Sequence, residues 1–165
     1  MSLPDRKHTR LPGFDYSAPG YYFITFCTRD KKNLLCTIVG TGVLDGPEIH
    51  FTPFGKIALK HMEAMRDFYE DIKVEKYVIM PNHVHLLIRI PDLGSGPSGT
   101  PVPTDSKIAR FVSTFKRFCN KDCKAHIWQS RSHDHVIRGE SDYQKIWSYI
   151  DNNPAKWTED CFYIE

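Results

Sequence analysis

The stretch MPNHVHLLIRI, residues 80–90, reads as a buried strand that carries two histidines one residue apart. In an extended chain the side chains alternate, so Val84, Leu86, Ile88 and Ile90 share one face while His83, His85, Leu87 and Arg89 share the other. The first face is unbroken hydrocarbon and must pack against a core. The second opens with two imidazoles pointing the same way, ~7 Å apart along the chain at ~3.3 Å per residue. That spacing suits one shared metal ion.

The flanking residues extend this into a sheet with helices. IKVEKYVIMP and HVHLLIRIP are two strands joined by a tight PNH turn, an antiparallel hairpin. GYYFITFCTRD is aromatic and β-branched and is expected as a central first strand, and NLLCTIVG and PEIHF as two shorter ones. Between them and the hairpin, Ile57, Leu59, Met62, Met65 and Phe68 approximate helical spacing, with Thr52 as N-cap and Pro53 at the first helical position. From Asp105, Ile108, Phe111, Val112, Phe115, Phe118 and Cys119 recur at three and four residues and predict a second helix. A short strand is expected around HDHVIRG, then a last helix over SDYQKIWSYIDNN, stopped by Pro154. The Gly-, Pro- and Ser-rich PDLGSGPSGTPVPT cannot pack and is expected as a mobile loop, not a domain boundary. Strands and helices mix without strict alternation, which predicts an α+β sandwich: an antiparallel sheet with helices packed mainly on one face.

A chain of 165 residues, 41% of them hydrophobic, suits a single domain spanning 1–165. The net charge of +2 neither demands nor excludes a nucleic-acid partner. No apolar run approaches the ~18 residues of a membrane span, and MSLPDRKHTR is too polar for a signal peptide. The five cysteines are odd in number and lack a disulfide-scaffold spacing, so a soluble, cytoplasmic protein with no membrane partner is expected. The cysteines read as packing thiols, since Cys119, Cys123 and His126 lack the second ligand pair of a zinc site.

In the final helix, Ser141 and Gln144 resemble a capping box, and Tyr143, Ile146, Trp147 and Ile150 form the apolar stripe. Tyr149 then falls ~110° from the centre of that stripe at ~100° per residue, with Asn153 four residues on along the same side. Pro154 biases Asn153 away from helical dihedrals. A phenol and an amide beside paired imidazoles would make a metal site with a nucleophile next to it. Phosphodiester transesterification needs such a set, because a phenol of pKa ~10 is a poor nucleophile without a base or a metal on the reacting phosphate.

These residues carry a resemblance. NHVHLL resembles the His-hydrophobic-His motif, and DYQKIWSYIDNNP the tyrosine helix, of the single-tyrosine transposases. TRLPGFDYSAPGYYFITFCT and WQSRSHDHVIR look most like the REP-associated tyrosine transposases of bacteria. The resemblance spans nearly the whole chain and implies a ferredoxin-like fold. It implies His83, His85 and Asn153 as ligands of a divalent metal, Mg²⁺ or Mn²⁺, and Tyr149 as the nucleophile that becomes linked to a 5′-phosphate. It further implies single-stranded DNA with hairpin-forming repeats as partner, a cytoplasmic, nucleoid-associated location, and either a monomer or a homodimer.

Lys107, Arg110, Thr114, Arg117 and Lys121 form a basic stripe on the second helix, away from its phenylalanines, which could neutralise a DNA backbone. Arg6, Lys7 and Arg10 lie in a segment too polar for core and are further DNA-contact candidates. His133 and His135, alternating with Asp134, are expected in structural hydrogen bonding and not in a second metal site. Two other readings stay open: a transposase-derived module that binds hairpins without turnover, and a small metallohydrolase using the histidine pair with bound water.

Overall fold

The computed structural model describes residues 13–40, 46–93 and 106–164. Its main sheet has four antiparallel strands in the order β4-β5-β1-β6: β1 is Gly20–Cys27, β4 Lys73–Ile79, β5 His83–Ile90 and β6 His133–Ile137. Helix α1, Pro53–Phe68, connects β1 to β4, and α2, Lys107–Cys123, connects β5 to β6. This is the split β-α-β arrangement of a ferredoxin-like sandwich, in which two neighbouring helices cover one face of the sheet. The short strands β2, Cys36–Val39, and β3, Glu48–Phe51, pair antiparallel in a small sheet of their own before α1. After β6 the chain adds α3, Glu140–Asn152, and a closing segment with a short 3₁₀ turn at Trp157–Glu159. The stretch 94–105, with most of the expected loop, and the basic residues Arg6, Lys7 and Arg10 lie outside the described residues. Among the described residues no helix is long and apolar enough to cross a membrane.

Both faces of the sheet are buried. On one, Tyr22, Ile24 and Phe26 of β1 and Val84, Leu86 and Ile88 of β5 pack with Met62 and Met65 of α1 and Phe111 and Phe115 of α2. On the other, Leu87, Val78 and Met80 pack with Ile146 and Ile150 of α3 and with Trp157. Two helices thus share one face, as expected, and the third lies alone on the opposite one, because His83, His85 and Leu87 need cover of their own.

Three local expectations change. Helix α1 buries Gly55, Ala58, Met62 and Met65, and the stripe ends on half-buried Tyr69, while Phe68 is 78% exposed. On α2, Phe118 turns outward and stacks on the His61 ring at 5.6 Å. Helix α3 starts at Glu140 with Gly139 before it, and no Ser141 capping box forms; Gln144 Nε2 donates instead to Glu140 Oε1 at 2.6 Å.

The rotation of α1 has a backbone cause. Thr52 caps the helix, accepting from Gly55 N–H at 3.1 Å, while its own hydroxyl donates to the Leu34 carbonyl, which draws the first turn onto the chain before β2. A Cβ at Gly55 would stand 1.8 Å from the Leu35 carbonyl oxygen. Glycine is required there to let two backbones meet, and it sets which residues of α1 face inward. Gly55→Ala should therefore destabilise the fold by about 2–3 kcal/mol in denaturant unfolding, the overpacking cost of a site that cannot give, although the same change in an exposed helix gains ~0.5–1 kcal/mol. A stabilised variant would show that this contact is not what fixes the register.

Candidate active site and metal centre

Strand pairing aligns Cys27 with His83 and Thr25 with His85, which sets both imidazoles at the end of β5 on the α3 side. They are almost fully buried, at 0% and 1% exposure. A buried imidazole needs its nitrogens satisfied. Asn82 Nδ2 donates to the carbonyls of Lys31 (3.0 Å) and Phe162 (2.7 Å), leaving its Oδ1 as an acceptor 2.9 Å from His83 Nδ1. His83 therefore carries its proton on Nδ1 and presents an Nε2 lone pair. Thr25 Oγ1 lies 2.7 Å from His85 Nδ1. The two Nε2 atoms face each other at 3.0 Å, so the His85 Nε2–H donates to His83, and the Thr25 hydroxyl donates to His85 Nδ1. Each ring is thus oriented by its Nδ1 partner; to ligate a cation His85 would carry its proton on Nδ1 instead, with the Thr25 hydroxyl oxygen accepting it, so that both Nε2 lone pairs would face the ion.

Burial pushes His83 down to about 4, against the opposing pull of the Asp160 carboxylate and of the neighbouring Asn153 amide. His85 falls well below the ordinary histidine value, through burial and then through the neighbouring His83. Both rings are neutral at pH 7, as ligands must be.

Helix α3 delivers the remaining groups. Tyr149 is 41% exposed, with its ring edge-on to Phe23 at 6.0 Å and 5.2 Å from that of His85. Its hydroxyl lies 3.4 Å from His85 Nε2 and 3.4 Å from Asp160 Oδ2. Burial, then Asp160, raises the phenol to about 12, so it is fully protonated at neutral pH. Asn153 is 3% exposed and keeps helical dihedrals (φ −59°, ψ −43°) in spite of Pro154, so the expected fraying does not occur. Its Nδ2 donates to Asp160 Oδ2 at 2.7 Å, which overrides the local bias of the following proline. Its Oδ1 is buried without a partner. An orphaned carbonyl oxygen beside two converging imidazole nitrogens fits a cation.

Asp160 and its surroundings were not legible beforehand. Its carboxylate, with a side-chain exposure of 1%, stands 4.0 Å from His83 Nε2, and among the described residues His83, His85 and Asp160 form a group whose ligand atoms lie within 4.8 Å of one another, able to hold a metal. The segment carrying it closes over the histidines, with the Phe162 ring 4.6 Å from that of His83 and Trp157 at 5.9 Å. The only hint in the sequence is an acid among aromatics a few residues beyond Asn153. Tyr149, Asn153, Lys156 and Asp160 line a cavity of about 450 Å³ that opens beside the phenol.

The other candidates disperse. Lys107 and Arg110 are paired with Asp71 at 3.5 and 3.2 Å, whereas Arg117 and Lys121 line a groove on the far side of the sheet. His135 Nε2 lies 2.9 Å from Asp142 Oδ2, tying β6 to α3, and the buried Cys119 thiol is pushed up to about 12, a packing group.

Because His83 is lowered from 6.5 to about 4, unfolding takes up protons below pH 6.5, so this part of the stability is complete above 6.5 and lost as pH falls toward 4. Melting of the metal-free protein should drop across that window, and by less in His83→Gln; equal slopes in both would show that the ring is not held neutral by burial.

No family model matches the chain. It is 28% identical to an uncharacterised Haemophilus influenzae protein, over 97% of this chain and 94% of that one. It is 25% identical to a second protein of that organism, provisionally named a REP-associated tyrosine transposase, over 86% of this chain and 74% of the relative. Among solved structures, a REP-associated tyrosine transposase bound to a REP hairpin superposes with a TM-score of 0.60 at 21% identity, over 95% of this chain and 74% of that one. The chain has the fold of a REP-associated tyrosine transposase and is similar in sequence to a protein so named, which bears out the resemblance carried by its motifs.

Proposed function

We propose that this protein is a metal-dependent single-stranded DNA endonuclease and strand transferase that acts at hairpin-forming repeats through a 5′-phosphotyrosine. The observation that carries the reading is the Tyr149 hydroxyl 3.4 Å from His85 Nε2, beside a buried Asn153 oxygen that no protein group satisfies. Its wider support is the solved transposase of the same fold, described as bound to a REP hairpin.

His83, His85 and Asn153 would hold the cation, with Asp160 as a further oxygen donor. Two imidazoles and an amide oxygen make a mixed nitrogen and oxygen donor set, and the phosphate chemistry proposed for the site would call for Mg²⁺ or Mn²⁺ as the ion. When bound, the cation supplies a positive charge that polarises the scissile phosphate and stabilises charge developing on its oxygens.

The chain's own groups do the rest. Tyr149 is raised to about 12 and cannot attack while it holds its proton. The Asp160 carboxylate, already within reach of that hydroxyl at 3.4 Å, takes the proton as the phenolic oxygen bonds to phosphorus. The bond from phosphorus to the 3′-oxygen breaks, and that oxygen leaves as a 3′-hydroxyl by taking a proton from solvent water, while Asp160 later returns its proton to solvent. The phosphotyrosine keeps the energy of the broken bond, so an incoming 3′-hydroxyl reverses the step without ATP. Lys156, on the wall of the cavity beside the phenol, is placed to meet a phosphate there.

A second reading, a hairpin-binding module without turnover, is favoured by one fact: Phe162 and Asp160 close over histidines that are 0% and 1% exposed.

Incubation with labelled single-stranded repeat DNA and Mg²⁺ or Mn²⁺ should give a covalent adduct on denaturing gels that is absent from Tyr149→Phe. An adduct that persists in that variant refutes the role of Tyr149, and the lack of any adduct with either ion favours the silent module. Calorimetric titration with Mn²⁺ should show binding lost in His83→Ala and weakened about tenfold or more in Asn153→Ala. Unchanged affinity in Asn153→Ala would remove the amide from the ligand set and leave Asp160 in its place.

A further inference from the structure

The groove on the α1/α2 face has a chemistry the active site does not use. It has a volume of about 930 Å³ and runs between the C-terminal half of α2 and the segment leading into β6. Lys116, Arg117, Lys121, Lys124, His126 and Arg131 line it, and among the described residues no carboxylate does. Neighbouring acids are engaged elsewhere: Asp122 faces Lys60 and His61 at 3.4 and 2.8 Å, and Asp71 holds Lys107 and Arg110. Among the described residues, no carboxylate lies within ion-pairing distance of Arg117, Lys121, Lys124 or Arg131.

The shape of this charge selects the ligand. Arg117, Lys121 and Lys124 follow one another at four and three residues, so they stand in a row about 10 Å long on one side of α2 at ~1.5 Å per residue. A row of cations matches a polyanion, whereas a single small anion needs donors converging on one point. The opposite wall is held rigidly. Lys116 Nζ donates to the carbonyls of Gln129 (2.8 Å), Ser130 (3.5 Å) and Arg131 (3.1 Å), fixing the segment that carries Arg131.

The groove also communicates with the active site through the sheet. Ser132, on its wall, precedes His133, which pairs with Thr25 of β1, and Thr25 pairs in turn with His85. Two strand spacings of ~4.8 Å place the start of β6 about 10 Å from the backbone of His85. Groove and site therefore share one end of the sheet, on opposite faces.

We propose that this groove holds the phosphate backbone of a DNA hairpin stem, so that the strand leaving the stem passes around the end of the sheet, by Ser132 and His133, to Tyr149. The choice of DNA as occupant rests on the function proposed above.

The test is fluorescence anisotropy with a labelled DNA stem-loop bearing a single-stranded tail, across a salt series without divalent ions. The double variant Lys121→Ala/Arg131→Ala should lower affinity about tenfold or more. It should also reduce the slope of log K against log salt by about 2, at ~0.9 per lost phosphate contact on duplex. Lys60→Ala/Arg66→Ala, which removes the same net charge from α1, should leave the slope unchanged. Equal slopes for the groove variant and the wild type, no binding by the wild type, or tighter binding of an RNA stem-loop of the same sequence would each overturn the proposal. The covalent-adduct assay separates the two readings: an adduct in a groove variant with unchanged slope sinks the groove and keeps the transferase. A lost slope with no adduct from the wild type keeps the groove and sinks the transferase.

Discussion

Removing two adjacent imidazoles from water is the constraint around which this molecule is arranged. A buried imidazole with an unmatched nitrogen is costly, on the order of 1–3 kcal/mol for a polar group without its hydrogen bond. The chain meets that requirement on the Nδ1 side of both rings, with Asn82 for His83 and Thr25 for His85. What is left is a pair of Nε2 atoms that face each other, with the Tyr149 hydroxyl 3.4 Å from that of His85. Asn82 is itself held by the carbonyls of Lys31 and Phe162, from opposite ends of the chain, so ring orientation depends on the whole fold being closed. The same demand explains α3. A ferredoxin-like sandwich can leave one sheet face in water, but a face that carries His83, His85 and Leu87 cannot be left open, and α3 with the segment after it is the cover.

That cover also supplies the chemistry. Ile146 and Ile150 anchor α3 on the sheet, and with the helix fixed by those two residues, Tyr149 reaches the rim of the histidine pair half-exposed while Asn153 reaches its interior. The amide of Asn153 is divided: Nδ2 is spent on Asp160, and Oδ1 points into the pocket unpaired. Asp160 links the groups, since one carboxylate oxygen meets Asn153, Tyr149 and, at longer range, His83. In the proposed reaction this shared oxygen both steadies the amide and receives the phenolic proton.

The sequence disclosed what periodicity and short-range chemistry encode. Alternation placed His83 and His85 on one strand face, and helical spacing placed Tyr149 and Asn153 on one side of α3; the geometry brings the four together. It could not disclose where contact between distant segments decides. The inward face of α1 follows from the Leu35 carbonyl meeting Gly55, which no periodicity reveals, so Phe68 was misplaced. Asn153 stays helical before Pro154 because Asp160 holds its side chain, a tertiary contact stronger than the dihedral preference. Asp160 and Asn82 lacked any pattern, because each acts through partners far along the chain or through chain reversal after α3.

The basic stripe on α2 shows the same limit for charge. Lys107, Arg110, Arg117 and Lys121 are equivalent in a helical projection, yet Asp71, just before β4, takes the first two out of play, while the last two face a wall carrying Arg131. Sequence charge counts cations; only the fold says which have been neutralised. The surviving ones lie behind the sheet from Tyr149, which would be a poor place for them if the substrate were a short single strand lying in the 450 Å³ cavity. A substrate with a rigid part and a flexible part fits better. A stem can be gripped by its backbone on one face, while the strand that leaves it is thin enough to round the end of β1 and β6 and meet the phenol on the other. Separating grip from chemistry in this way lets binding energy from the stem position a scissile phosphate that the small cavity alone could hold only weakly.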